Sequence, residues 1–318
     1  MNLRDYKWFR NPRGLHNIGV FHPFRPERYI RPQMGWAKFV VGGNEYVNAA
    51  GQLANSHCMA IIRTFRERMG ALRAPSVWYE NYREYINNGS YWFEFYNEPN
   101  LEGEWPQDAP GGGPSIYVSW DNGGLIETLM DNWIEWAQEV IELGGYPAFP
   151  AMADSAEHRH ATVYWLDACL RYLRDNHNGT FRRVIANGLW CATHPYLANH
   201  FYQEPAGGPP QVARPYYQQR ASGAGWHFEY PYDPLQQYND PGRTVFGGTD
   251  LTPFGDPNGL IASGQAFQEL LKKHFDAGPV PVVGTEGGVW RRSGTSRIIT
   301  TSRARCPPST GWSKRTRS

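Results

Sequence analysis

Cysteine is scarce, with Cys58, Cys169, Cys191 and Cys306 the four in a chain of 318 residues, and none stands in a CxxC pair or at metal-ligand spacing. That excludes a disulfide-stapled scaffold and a cysteine zinc site. Three of the four lie in apolar surroundings and read as buried thiols. No stretch approaches the ~20 apolar residues of a membrane span, and the opening MNLRDYKWFRNPRG lacks the apolar core of a signal peptide. As written, the chain is expected in the cytoplasm, or outside the cell if a longer N-terminus exists, with no membrane partner. There is no GxSxG elbow, which argues against an α/β-hydrolase. Gly111-Gly-Gly113 follows no strand and leads to no Lys-Ser/Thr, so it is no phosphate loop. His158-Arg-His160 reads as the solvated start of a surface helix rather than a metal site. Neither a metal nor another cofactor is expected.

Charge is unevenly placed. Residues 291–318 hold seven Arg and Lys314 with no Asp or Glu, which leaves residues 1–290 at −7 against a chain total of +1. A mildly acidic body has no basic face for nucleic acid. The tail has few apolar residues and no periodicity, and it reads as out-of-frame or foreign sequence rather than as a natural basic extension. The expected organisation is therefore a folded unit over 1–290 and a basic, low-order tail over 291–318.

Aromatics are abundant, with 13 Trp and 19 Tyr. Such rings either fill a core or present flat faces on which a sugar stacks. Short apolar runs alternate with longer helical patterns, the signature of a parallel sheet with crossover helices. The runs are HNIGVF (16–21), WAKFVV (36–41), MAIIRTF (59–65), YWFEFYN (91–97), YPAFPAM (146–152), LWCATHP (189–195) and PVPVVGTE (279–286). Helical spacing is clearest over Leu125–Leu143, ending at Gly144-Gly145. It recurs through Val163–Leu173 and Phe267–Phe275, and more weakly over Trp78–Ile86. Two connections, 101–122 and 197–258, are longer than a barrel needs, and such loops are functional or disordered. Seven strands and their helices make an α/β fold, a (β/α)₈ TIM barrel that lacks its eighth βα unit. The edge between strands seven and one would be left open.

Two carboxylates stand out by position. Glu98 follows an apolar run in WFEFYNEPNL and Glu286 another in PVVGTEGG. Strand C-termini face the active site of an α/β barrel, so both are expected in one cleft. Retaining hydrolysis of a glycosidic bond needs such a pair, with one group protonating the leaving oxygen and the other attacking the anomeric carbon.

Asn97-Glu98-Pro99 ending strand four, with a Glu ending strand seven, resembles the clan A, or 4/7-superfamily, glycoside hydrolases across roughly residues 16–290. The resemblance implies a retaining enzyme on β-linked glycans, an oligosaccharide or polysaccharide, with Glu98 as acid/base and Glu286 as nucleophile. It implies a hydrogen bond from Asn97 to the sugar 2-hydroxyl, and contacts from His194 and Tyr196, in THPY, to substrate or nucleophile. Arg63, at the mouth of strand three, either holds a carboxylate ionised or makes an ordinary ion pair. Trp105, Trp226, Tyr230, Tyr232 and Trp290 fall near the expected catalytic face, as sugar platforms or as loop packing. The alternative to an enzyme is a non-catalytic carbohydrate-binding protein on a barrel of this descent.

Overall fold

The computed structural model describes residues 9, 11, 13–17, 24–153, 158–194 and 263–286. Among them run seven strands: β1 (Gly14–Asn17), β2 (Trp36–Val41), β3 (Met59–Thr64), β4 (Trp92–Glu94), β5 (Tyr146–Phe149), β6 (Trp190–Thr193) and β7 (Val282–Gly284). Six α-helices lie between them: α1 (Glu27–Ile30), α2 (Val47–Asn55), α3 (Ser76–Asn87), α4 (Gly123–Glu142), α5 (Thr162–Asn187) and α6 (Ser263–Phe275). The strands pair in chain order, β1 through β7, and every pairing is parallel. No pairing joins β7 to β1 among the described residues, so this is an incomplete, open (β/α) barrel.

Side-chain alternation along the strands builds two cores. Outward residues such as Phe39, Ile62, Phe93 and Cys191 pack under the helices. Inward residues Met59, Ile61, Trp92, Tyr146, Ala148, Trp190 and Ala192 form a separate interior cluster. The Trp92 ring meets that of Tyr146 at 5.2 Å and that of Trp190 at 5.5 Å, which plugs the barrel. One further step along each strand, the same inward parity carries charge or imidazole. Trp36 gives way to Lys38 on β2, Ile61 to Arg63 on β3, Trp92 to Glu94 on β4 and Ala192 to His194 after β6. An apolar floor thus supports a polar ceiling at the C-terminal ends.

The helices follow their patterns. α4 buries Leu125, Leu129, Trp133, Ala137 and Val140 on one face. The Asn122 side chain caps its start by accepting from the Leu125 amide at 3.3 Å, worth about 1 kcal/mol. It ends where Gly144 turns to φ +91°. α5 runs well past the expected Leu173, through a kink at His177, to Gly188 at φ +137°. A Cβ at Gly188 would come within 2.2 Å of the Tyr146 ring, so this connection into β6 demands glycine. Cys58, Cys169 and Cys191 are free and buried. No helix among the described residues is long and apolar enough to cross a membrane.

Three features differ from the sequence reading or decide between its alternatives. α2, in VNAAGQLAN, has too short an apolar stripe, broken by Gly51, to stand out in the sequence. His160 is buried rather than solvated, and its carbonyl accepts from the Asn100 side chain at 2.7 Å. Trp105 is only 4% exposed and donates from Nε1 to the Pro99 carbonyl at 2.9 Å, so it braces the strand-four loop instead of offering a sugar platform.

Candidate functional site

The polar ceiling is a connected cluster. Glu286 Oε1 receives Arg63 Nη1 at 2.5 Å and Lys38 Nζ at 3.0 Å, with His16 Nε2 and His194 Nε2 each 3.7 Å away. Lys38 is fully buried and shared: its Nζ also lies 2.6 Å from Glu94 Oε2, 3.4 Å from Thr285 Oγ1 and 3.5 Å from His194 Nε2. With an ammonium facing Nε2, that imidazole nitrogen is assigned as acceptor, which leaves Nδ1–H to donate to Glu98 Oε1 at 2.8 Å. On the other side Arg63 Nη1 donates to Asn97 Oδ1, and Asn97 Nδ2 donates to Glu104 Oε1 at 2.8 Å. Two chains of side chains therefore converge on Glu286, one through Lys38 and His194 to Glu98, the other through Arg63 and Asn97 to Glu104.

The backbone at Glu98 is held in an unusual state. Its φ is +42°, a left-handed value uncommon outside glycine and doubly restricted before Pro99. Neighbours enforce it. The Glu98 amide donates to the Ala151 carbonyl at 3.0 Å, and the Glu98 carbonyl accepts from the Leu101 amide at 2.9 Å. Asn100 clamps the next loop through the Ala153 amide and carbonyl, both at 2.8 Å. Strain maintained this way gathers at functional sites, at about 1–3 kcal/mol each.

Electrostatics separate the groups. Burial works to raise the Glu286 pKa, but the neighbouring His194, Lys38 and Arg63 overcome it and hold the carboxyl well below the usual range. Glu104 moves the opposite way. Burial raises it, the Asn97 hydrogen bond partly opposes, and the Glu98 charge pushes it further up. His16 falls to about 4 through burial and then the Lys38 charge, so it is neutral at neutral pH. Arg63 Nε, His16 Nε2 and Glu94 Oε1 here have no hydrogen-bond partner among the described residues.

One ligand atom from each of Glu98, His194 and Glu286 can be chosen so that all lie within 4.8 Å of one another. By donor type the set suits a divalent ion. By charge it does not, because Lys38 and Arg63 already occupy the shared Glu286 oxygen, and two fixed cations at that range oppose a third.

Of the residues singled out in the sequence, Glu98, Glu286, Asn97, Arg63 and His194 meet in this one cluster. Tyr196, Trp226, Tyr230, Tyr232, Trp290, the 197–258 connection and the 291–318 tail lie outside the described residues. Sequence reasoning missed Lys38, Glu94, His16 and Glu104. A charged residue at an inward position of an otherwise apolar strand, as in WAKFVV and WFEF, was the available signal.

No protein-family model matches the chain, and no curated protein matches it either. Solved structures do. The 3-keto-D-glucoside 4-epimerase YcjR of E. coli is 12% identical over 73% of this chain and 97% of its own, with a TM-score of 0.32. A sugar phosphate isomerase/epimerase from Parabacteroides distasonis is 10% identical over 93% and 91% of the respective chains, at 0.30. A fusion of a xylose isomerase-like TIM barrel with a 4-hydroxyphenylpyruvate dioxygenase is 10% identical over 86% of this chain and 46% of its own, at 0.33. These are isomerases and epimerases by description, not glycoside hydrolases. The expected membership of the clan A glycoside hydrolases, and with it the retaining O-glycosyl hydrolase activity, is corrected on that finding. The physical reason is that Asn-Glu-Pro after strand four and Glu after strand seven fix two positions at a barrel mouth. Those positions serve any chemistry that moves protons there. The nucleophile role also sits poorly with a Glu286 carboxylate whose charge is drawn off by Arg63 and Lys38. Superposition this loose assigns neither family nor activity to the chain.

Proposed function

We propose that this site transfers protons on a small sugar, as an isomerase or epimerase does, by removing and returning hydrogen at a carbon next to a carbonyl. The observation that carries the reading is a pair of carboxylates, Glu98 and Glu286, whose oxygens lie with His194 inside a 4.8 Å group but whose surroundings differ. Glu286 is pinned by two cations and stays ionised, which suits it to accept hydrogen bonds from substrate hydroxyls and not to carry a proton. Among the described residues Glu98 has no such cations; it is partly open with a side chain 14% exposed, and is backed by His194 Nδ1. It is the group that takes the proton and gives it back. Negative charge then develops on the carbonyl oxygen. Arg63 Nε–H, buried and without a protein partner among the described residues, is a donor available to that oxygen. Should a divalent ion bind, Glu98, His194 and Glu286 would hold it, and it would polarise the same carbonyl; no step here depends on one.

The experiment is solvent hydrogen exchange. The protein is incubated in D₂O with a panel of aldoses, ketoses and keto-glycosides, and carbon-bound deuterium is followed by NMR. Exchange is expected with at least one sugar, and Glu98→Gln should slow it by about 100-fold or more. Absence of exchange across the panel, or a Glu98→Gln variant as fast as wild type, overturns the proposal.

A further inference from the structure

Next to the carboxylate cluster lies a cavity of about 570 Å³, walled by Val40, Tyr46 and Phe65 and bordered by His16, Arg63 and Glu45. It adjoins the carboxylate cluster, because His16 and Arg63, which border it, also approach Glu286 Oε1 at 3.7 and 2.5 Å. Phe65 leaves 41% of its surface exposed, an unusual state for a ring beside a buried site, and the Arg63 guanidinium stands 5.6 Å from its centre. His16 supplies an imidazole whose Nε2 lacks a hydrogen-bond partner among the described residues. Arg63 is 94% buried by its 6% exposure and brings the second such atom, Nε.

The charges on the wall are already committed. Arg63 is neutralised by Glu286, and Lys38 by Glu286 and Glu94. Glu45 spends both carboxylate oxygens on the amides of Gly42 and Gly43, at 2.6 and 2.8 Å, so it anchors the loop yet keeps its negative charge beside the cavity. Among the described residues, an anionic group there would meet Glu45 and no uncommitted cation. An uncharged ring would meet an aromatic face, an aliphatic wall and two unsatisfied polar atoms for its hydroxyls.

We infer that this cavity is a second substrate subsite, which takes the uncharged, apolar-faced aglycone or second ring of a glycoside and disfavours a sugar phosphate. The inference rests on the proton-transfer reading of the adjacent carboxylates for its orientation, with the reacting sugar at Glu98 and its substituent against Phe65.

Calorimetric titration of the full chain with phenyl β-D-glucoside, methyl β-D-glucoside and glucose 6-phosphate tests it without relying on turnover. The phenyl glucoside is expected to bind about tenfold more tightly than the methyl glucoside, the worth of burying one ring. Glucose 6-phosphate should bind no more tightly than the methyl glucoside. Phe65→Ala, which opens the wall, and Val40→Phe, which fills the cavity, should each erase the phenyl preference. Equal affinities for the two glucosides, tighter binding of the phosphate, a phenyl preference that survives both variants, or no binding of any of the three overturns the inference. A phenyl preference without deuterium exchange on any sugar would instead sink the proton-transfer reading and keep the subsite.

Discussion

Lys38→Met is the most revealing single change to make. The ammonium is fully buried and lies 2.6 Å from Glu94, whose side chain is 3% exposed, and 3.0 Å from Glu286 at 9%. Glu94 Oε1 has no hydrogen-bond partner among the described residues, so Lys38 is the charge that justifies burying this carboxylate. Methionine keeps the volume of the stem and removes the charge. Breaking a buried pair from one side costs about 3–5 kcal/mol, because the remaining ion is stranded, whereas replacing both partners is close to neutral. The expected loss for Lys38→Met is therefore about 3–5 kcal/mol, and adding Glu94→Gln should recover at least about 2 kcal/mol of it. In a chain of this size that is a fall in Tm of roughly 6–15 °C, partly restored in the double variant. Thermal and urea denaturation of wild type, both single variants and the double variant at neutral pH close the cycle. A Lys38→Met loss under about 1 kcal/mol, or a double variant no more stable than Lys38→Met, would refute the assignment of Lys38 as the counter-charge.

Stability should fall with acid in a particular window. The His16 pKa is lowered to about 4 in the fold from 6.5, so between those values the unfolded chain binds the extra proton. The stabilisation is whole above pH ~6.5 and lost on descent to ~4, by about 3 kcal/mol. His16→Gln should flatten that slope in a pH series of urea melts; an unchanged slope contradicts it. Glu286, depressed in the fold, adds a second loss only below its ordinary range near ~4.3, as pH falls towards its folded value. Trp105→Ala should cost about 3–5 kcal/mol by urea melt, because it empties a buried ring site and frees the Pro99 carbonyl. A loss below about 1 kcal/mol would mean that the ring does not brace the loop. Finally, a strong chelator should leave deuterium exchange within about twofold of the untreated rate, since the cations on Glu286 oppose a metal. Loss of exchange that Mn²⁺ restores would show that a divalent ion displaces them.

Much of the barrel is visible in the chain because each element repeats its own signal. WAKFVV and MAIIRT are apolar on both parities, as strands covered on two faces must be, and β2 spans the expected 36–41 residue for residue. Helix α4 carries nine buried side chains at helical spacing, enough to fix its limits to within two residues. The short α2 escaped because its stripe is brief and its stability comes from packing on β3. At the site, Glu98 and Glu286 stood out because a carboxylate just beyond an apolar run has few structural reasons to be there. Lys38 and Glu94 hide inside their runs, where only inward parity and a partner on another strand reveal them. Chemistry is less legible than place. Two strand-end carboxylates mark the place of a site, but what surrounds each one, Lys38 and Arg63 here and His194 there, decides what each can do.

The Glu98 peptide hangs from Ala151, a residue beyond the end of β5, and Asn97 bridges to that same alanine. The Glu98 carboxyl is thereby indexed to the neighbouring strand, like a gear tooth set by the adjoining wheel. A bulkier side chain at Ala151, 2% exposed in the barrel interior, would displace it relative to Glu286 without touching any sugar. The spacing of the two carboxylates is adjustable from a position that no inspection of the carboxylates themselves would suggest.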